Sequence, residues 1–349
     1  MRFNAKKIIT FGEVMLRVSP SLIGERLTQA RDFIIEPGGS EANVALALSL
    51  LGYRCAFVTA LPQNALSEKI IRALKSYSVD TSQIAWKEGR VGLYWTETGV
   101  GLRPYEVLYD RQYSTFYNIK YDMFDWRNIF KGAAWFHTSG ISAAVSENAY
   151  RMLKKILSLR KANITVSLDL NYRNKLWEWA GHKKSAIQKV MWSLILTIDV
   201  LMGNETDFSD ALGFKIDNAD GIDGYRKIAE SCFKKSRRLK FIAVSLRNVI
   251  SASDNDWSGL LFVRLGAKLK VFKAVDVKIT NIIDRVGTGD SFAAGIIYGL
   301  MNKPVDFQRI IDFAVALSAL KHTVRGDISQ HRLVDVEKFL KNPIARIIR

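Results

Sequence analysis

The run Asp284-Arg285-Val286-Gly287-Thr288-Gly289-Asp290 leads directly into the apolar pattern SFAAGIIYGL at 291–300. Gly287 and Gly289 can take backbone angles closed to other residues, and without a Cβ they let a ligand approach the main chain. The helix expected after them starts with free N–H groups and the positive end of its dipole. Together these make an anion hole suited to phosphate. Asp290 lies inside it, where a carboxylate is repelled by a bound phosphate unless it has chemistry to perform. Taking the proton from a hydroxyl that attacks phosphorus is such a task. The competing reading is an Asp that caps a helix. Neither the Walker glycine pattern nor the dinucleotide-binding one is present.

A second glycine site is EPGGSEANVALALSLLG, residues 36–52. Gly38 and Gly39 open a helix and again allow backbone approach, while Asn43, one turn in, is placed to bond a polyol hydroxyl. A plain loop-to-helix turn is the alternative. His137, Cys55 and Cys232 have no metal-ligand spacing and read as structural.

The elements that must carry these residues alternate. KIITFGEV (7–14), CAFVTAL (55–61), AWFHTS (134–139), ITVSLDL (164–170), DVLMG (199–203) and FIAVSL (241–246) read as short buried strands. Helical spacing occurs at 40–52, 66–78, about 146–160, 183–196 and 221–234. Such alternation predicts a doubly wound α/β fold, its mostly parallel sheet covered by helices on both faces. Two stretches, 14–37 and 88–116, lose the helical period and favour β structure. They predict a small β-sheet lid built from two separated segments. With no internal repeat and no low-complexity linker, residues 1–349 are expected to form one domain.

Composition sets the class. The 349 residues include eight tryptophans and eighteen phenylalanines, enough for a sizeable core. Two cysteines exclude a disulfide framework and suit a reducing cytoplasm. No run approaches the length of a membrane span, and the N-terminus reads as a first strand. The formal net charge of +17 raises nucleic-acid binding. However, the basic residues are dispersed, and their densest run, KKSRRLK at 234–240, has no zinc-finger or aromatic RNA-binding context. Attraction of anionic substrates explains the charge better.

The pair GGSEANVALALSLLG and DRVGTGDSFAAG, roughly 250 residues apart, resembles the two signatures of the ribokinase-like (PfkB) sugar kinase family. The resemblance spans essentially the whole chain. It implies a ribokinase-like fold with a β lid, Asp290 as catalytic base, and Gly287, Thr288 and Gly289 as the anion hole. Thr288 stands where Ala is commoner. Within the family, FGEVMLRVSP (11–20), GLYWTETG (92–99), YDR (109–111), DLNYR (169–173) and DNDWSGLL (254–261) resemble the 2-keto-3-deoxygluconate kinases. That likeness implies that Gly38, Tyr94, Tyr109, Arg111 and Arg173 surround a sugar acid, with Gly39, Asn43 and Asp327 on the same side. Arg173 would also stabilise charge developing during transfer. GNETDF (203–208) matches the family's Asn-x-x-Glu segment, which organises Mg²⁺ through water, but here it ends in Asp207. The shorter side chain leaves Glu205 as an alternative. Asn204, Ser245 and Arg247 fall on the ATP side with Gly287 and Gly289. The activity implied is ATP- and Mg²⁺-dependent phosphorylation of 2-keto-3-deoxygluconate. The alternatives are a fructokinase- or ribokinase-type activity and a catalytically silent, nucleic-acid-binding scaffold. Exposed lid edges further predict a homodimer that pairs through the lid.

Overall fold

A computed structural model describes residues 4–159, 161–215, 221–302 and 304–342. Its elements run β1 (Asn4–Phe11), β2 (Met15–Pro20), β3 (Phe33–Gly38), α1 (Ser40–Leu50), β4 (Tyr53–Val58), β5 (Ala60–Leu61) and α2 (Ala65–Ser76). Next come β6 (Ala85–Trp86), β7 (Leu93–Glu97), β8 (Glu106–Asp110), α3 (Trp126–Ile129), β9 (Ala133–Ser139), α4 (Gly140–Ala144) and α5 (Glu147–Leu159). The middle of the chain adds β10 (Thr165–Asp169), α6 (Lys184–Ile195), β11 (Val200–Asn204), α7 (Glu205–Leu212) and α8 (Gly221–Lys235). It closes with β12 (Phe241–Val249), β13 (Asn255–Leu265), β14 (Lys268–Lys273), β15 (Val277–Ile279), α9 (Thr288–Met301), α10 (Phe307–Lys321) and α11 (Leu333–Lys341).

The main sheet has the strand order β14-β13-β12-β11-β10-β9-β1-β4, with β15 alongside β13. From β4 to β12 every pairing is parallel, and β12, β13 and β14 then run antiparallel. A strand with helices over both faces is covered on both, which is why β9, β10 and β11 are buried along nearly their whole length and rich in apolar side chains. One face packs on α5, α6, α7 and α8 through residues such as Leu153, Ile187, Phe208 and Ile228. The other packs on α1, α2, α9 and α10 through Val44, Ile70, Phe292 and Leu317. Because the parallel strands share one direction, their C-terminal ends and the turns that follow collect along a single edge, where ligands bind in open α/β sheets.

The smaller sheet has the order β3-β2-β7-β8, drawn from both stretches that lack helical period. Its register sets Arg17 beside Tyr94, and Tyr94 beside Tyr109, on one face. The adjacent rung, on the opposite face, is Ile35, Val18, Trp95 and Leu108. Among the described residues no helix is long and apolar enough to cross a membrane. Both cysteines are buried and free, and His137 is buried against the Ser167 hydroxyl.

Candidate active site

A cleft of about 450 Å³ opens between the lid and the C-terminal ends of the parallel strands. Its floor is the start of α9. Gly287 has φ of 81°, and a Cβ there would fall 1.8 Å from the Asp327 carbonyl oxygen, so only glycine is accommodated. Gly289 differs: nothing lies within 4 Å of where its Cβ would be, and it lines the cleft. The backbone is therefore closed against protein at Gly287 and open toward the cleft at Gly289.

Asp290 is not the cap of this helix. Gly287 holds that position, and the Asp290 carboxylate turns across to α1. Its two oxygens accept hydrogen bonds from Ser40 Oγ at 2.6 Å and Asn43 Nδ2 at 2.7 Å. Ser40 in turn accepts from Asn171 Nδ2 at 3.0 Å, which fixes its hydroxyl toward Asp290. Burial raises the Asp290 pKa, the Asn43 and Ser40 bonds lower it, and the nearby Asp327 charge raises it further. The outcome is about 6. A carboxylate poised there is ionised at neutral pH yet basic enough to take a proton.

Two more carboxylates line the same cleft. Asp169, at the end of β10, is pushed well up by burial and by the charges of Asp207 and Asp290. Asp207 lies in the first turn of α7, where its oxygens accept from the backbone of Asn204 and of Tyr172, both at 2.8 Å. Asn204 Oδ1 accepts in return from Asp207 N at 3.0 Å. This reciprocal cap explains the shorter residue: Asp207 closes its own helix start and holds the strand-end loop carrying Arg173. Arg173 is exposed at the cleft wall and faces the three carboxylates.

The lid supplies the opposite wall. Tyr94, Tyr105, Tyr109 and Arg111 line it, with Glu13 at the crossing from β1 into the lid. Arg111 Nε donates to Glu13 Oε2 at 2.9 Å, with Nη2 on the same oxygen, and Ser114 Oγ donates to Glu13 Oε1 at 2.6 Å. Asp327 is held by Arg17 Nη1 at 2.9 Å and by the Tyr94 hydroxyl. Among the described residues, three buried polar atoms of cleft-lining side chains lack a protein partner: Arg111 Nη1, Asn43 Oδ1 and Trp257 Nε1.

Of the residues singled out from sequence, Gly39, Asn43, Tyr94, Tyr109, Arg111, Arg173, Asn204, Asp207, Ser245, Arg247, Gly287, Thr288, Gly289, Asp290 and Asp327 meet in this cleft. Gly38 and Glu205 do not form its wall. A Cβ on Gly38 would fall 1.9 Å from the Tyr94 hydroxyl, and one on Gly39 would fall 2.3 Å from the Glu13 carbonyl. Protein atoms, not a ligand, require both glycines. Glu205 lies in an adjoining hollow of about 400 Å³ and bonds the Tyr225 hydroxyl. Sequence reasoning passed over Glu13, Arg17, Glu41, Asp169 and Asn171. All five sit inside motifs already quoted; for Glu13, Arg17 and Asp169 a charge in or beside an apolar strand was the available signal. In the basic run, Arg238 and Lys240 reach Asp199 at 3.7 Å and 3.5 Å, and Lys235 lies over the Trp192 ring.

Known proteins share this fold. The profile of the pfkB family carbohydrate kinases matches residues 5–332. A 2-dehydro-3-deoxygalactonokinase of Haloferax volcanii is 30% identical over 346 residues, covering 98% of this chain and 99% of its own. The crystal structure of a 2-dehydro-3-deoxygluconokinase from Thermotoga maritima superposes with a TM-score of 0.89 at 38% identity, covering 98% of this chain and 100% of its own. A probable fructokinase of Arabidopsis thaliana is 24% identical, covering 92% of this chain and 87% of its own. The chain belongs to the pfkB family of carbohydrate kinases, phosphotransferases that act on an alcohol group.

Proposed function

We propose that the chain transfers the γ-phosphoryl group of ATP to the terminal hydroxyl of 2-keto-3-deoxygluconate, giving the 6-phosphate and ADP. The observation that carries this reading is two of the orphaned atoms in the cleft, a guanidinium donor on the lid and an amide acceptor beside Asp290. A carboxylate at one end of the substrate satisfies Arg111 Nη1, and a hydroxyl near the other satisfies Asn43 Oδ1. A neutral sugar would leave the buried N–H of Arg111 without a partner, which is costly.

In the reaction Asp290 accepts the proton of the attacking hydroxyl. The oxygen so freed bonds to the γ-phosphorus while the bond to the bridging oxygen of ADP breaks. Backbone N–H groups at Gly287–Asp290 and the Arg173 guanidinium receive the charge that spreads over the phosphoryl oxygens. Asn204, Ser245 and Arg247 lie along the nucleotide side of the cleft.

The donor set fits Mg²⁺ arriving with the nucleotide. Asp169 and Asp207 are buried carboxylates whose proton affinities burial raises, that of Asp169 also through the Asp207 charge, and a divalent cation relieves that repulsion. Magnesium takes one or two carboxylates, several waters and substrate phosphates. Both Asp207 oxygens already accept backbone N–H groups, which suits contact through water, and Asp169 would be the second carboxylate to hold the ion. Bound there, the ion would neutralise phosphate charge.

Free, buried cysteines suit a reducing compartment, and we place the enzyme in the cytoplasm. Phe33, Ile35 and Leu108 are exposed on the lid, and a second copy of the chain pairing there would cover them. A fully active monomer at micromolar concentration by light scattering would overturn the dimer.

The substrate is tested by ADP release with 2-keto-3-deoxygluconate, its C4 epimer, fructose and ribose. We expect kcat/KM for the acids to exceed that for the neutral sugars by at least about tenfold, the scale of one charge-assisted bond. A preference for fructose would refute the substrate reading.

A further inference from the structure

We propose that Arg17 is a positioning residue for phosphoryl transfer, fixing the anion-hole turn in register with the lid. Among the described residues it is the largest charged side chain enclosed by protein, with 2% of the side-chain surface exposed, and it does not line the cleft. From β2 its guanidinium makes four contacts. Nε donates to Thr96 Oγ1 at 3.1 Å and Nη2 to the Tyr105 hydroxyl at 3.0 Å, both lid groups. Nη2 also meets Asp284 Oδ2 at 2.6 Å, and Nη1 donates to Asp327 Oδ1 at 2.9 Å.

The two carboxylates do not end the chain of contacts. Asp284 Oδ1 accepts from Val286 N at 3.0 Å, one residue before Gly287. Asp284 Oδ2 accepts from Gly326 N at 3.1 Å, and the Asp327 carbonyl is the atom that packs onto Gly287. Below them the fully buried Lys321 donates to the Val324 carbonyl at 3.2 Å, on the same loop. Through Asp284 and Asp327, one planar guanidinium therefore sets both backbone segments that shape the phosphate turn, and holds them against two lid groups. Lysine carries the charge but cannot span this fork. Catalysis by positioned N–H groups depends steeply on such placement.

The inference rests on Gly287–Asp290 as the phosphate site and is independent of which sugar is bound. Arg17→Lys is compared with wild type for kcat, for KM of both substrates, for MgADP affinity by calorimetry and for melting temperature. We expect kcat to fall about 10- to 100-fold, equally for acid and neutral acceptors. Both KM values and MgADP affinity should stay within about threefold of wild type. Thr96→Val removes one lid-side bond, keeps the charge and leaves the cleft wall intact. It should lower kcat in the same direction by less, and add nothing further on top of Arg17→Lys. A variant that melts earlier but turns over like wild type while folded would show a structural role and overturn the proposal. A raised sugar KM with kcat intact would make Arg17 a binding residue and overturn it too. Should Arg17→Lys not fold, an unchanged kcat in Thr96→Val refutes the idea alone. Wild type inactive on every sugar would instead defeat the functional reading.

Discussion

Asp290 owes its basicity to opposed neighbours: burial withholds its charge, while Ser40 and Asn43 stabilise that charge and aim it. Asp290→Asn keeps the shape and loses the base, so kcat should drop by roughly 10²–10⁴ with ATP affinity retained. Turnover near wild type would reduce Asp290 to a structural role. The group must be ionised to act, so wild-type kcat/KM should rise through about pH 6 and level off above it. An acidic limb centred near pH 4 would contradict the buried setting. Arg111 couples two roles, because it faces the cleft and neutralises Glu13. Arg111→Ala should lower kcat/KM for the sugar acid by roughly 10- to 150-fold while sparing neutral sugars. It also strands a buried carboxylate and lowers the melting temperature. Adding Glu13→Gln should recover stability but not acid selectivity. Equal losses on both sugar classes would show that Arg111 serves the lid alone.

At the scale of elements, the N-terminus of α9 separates two uses of glycine that sequence alone presents as equivalent. Gly287 is closed in by Asp327, whereas Gly289 faces open space. Gly289→Ala should therefore leave folding intact, or stabilise the helix by about 0.5–1 kcal/mol, while the added methyl obstructs the phosphate. The expected result is a melting temperature at or above wild type with much reduced kcat or raised KM for ATP. Unimpaired transfer would place the phosphate elsewhere. The Gly-x-Gly-Asp turn was legible because its geometry is local: glycines, acid and helix start lie within one turn. The alternating βα units were legible for the same reason, since burial on both faces writes itself as apolar runs. The Arg17 network was not, because its partners are distant in sequence and an arginine in MLRVSP reads as a lid charge. The antiparallel edge from β12 to β14 was also hidden, since strand direction depends on neighbours and not on composition. From sequence Asp207 reads as a weakened ligand; its reciprocal cap with Asn204 gives the shorter side chain its own purpose.

At the scale of the whole molecule, Glu41 ties α1 to the sheet ends through Ser139 and Ser142, although one carboxylate oxygen has no partner. Burial is the chief cause that pushes its carboxyl up to about 7. The folded state then binds the proton more tightly than the unfolded chain, so this group's contribution to stability falls as pH rises from about 4.5 to about 7. The loss is at most about 3 kcal/mol. Glu41→Gln removes that slope, so its urea midpoint relative to wild type should be higher at pH 8 than at pH 5. An equal difference at both pH values would show that Glu41 does not titrate in this range. Finally, the contacts that make the site join the two ends of the chain: Ser40 to Asp290 across 250 residues, and Arg17 to Asp327 across 310. A ribosome adding about 5–20 residues per second needs on the order of tens of seconds to pass from one to the other. Throughout that interval the glycine-rich start of α1 waits without its partner. An interrupted or clipped nascent chain that ends before Asp284 has no base and no phosphate turn, so enzymatic turnover reports only on polypeptides whose synthesis ran past both.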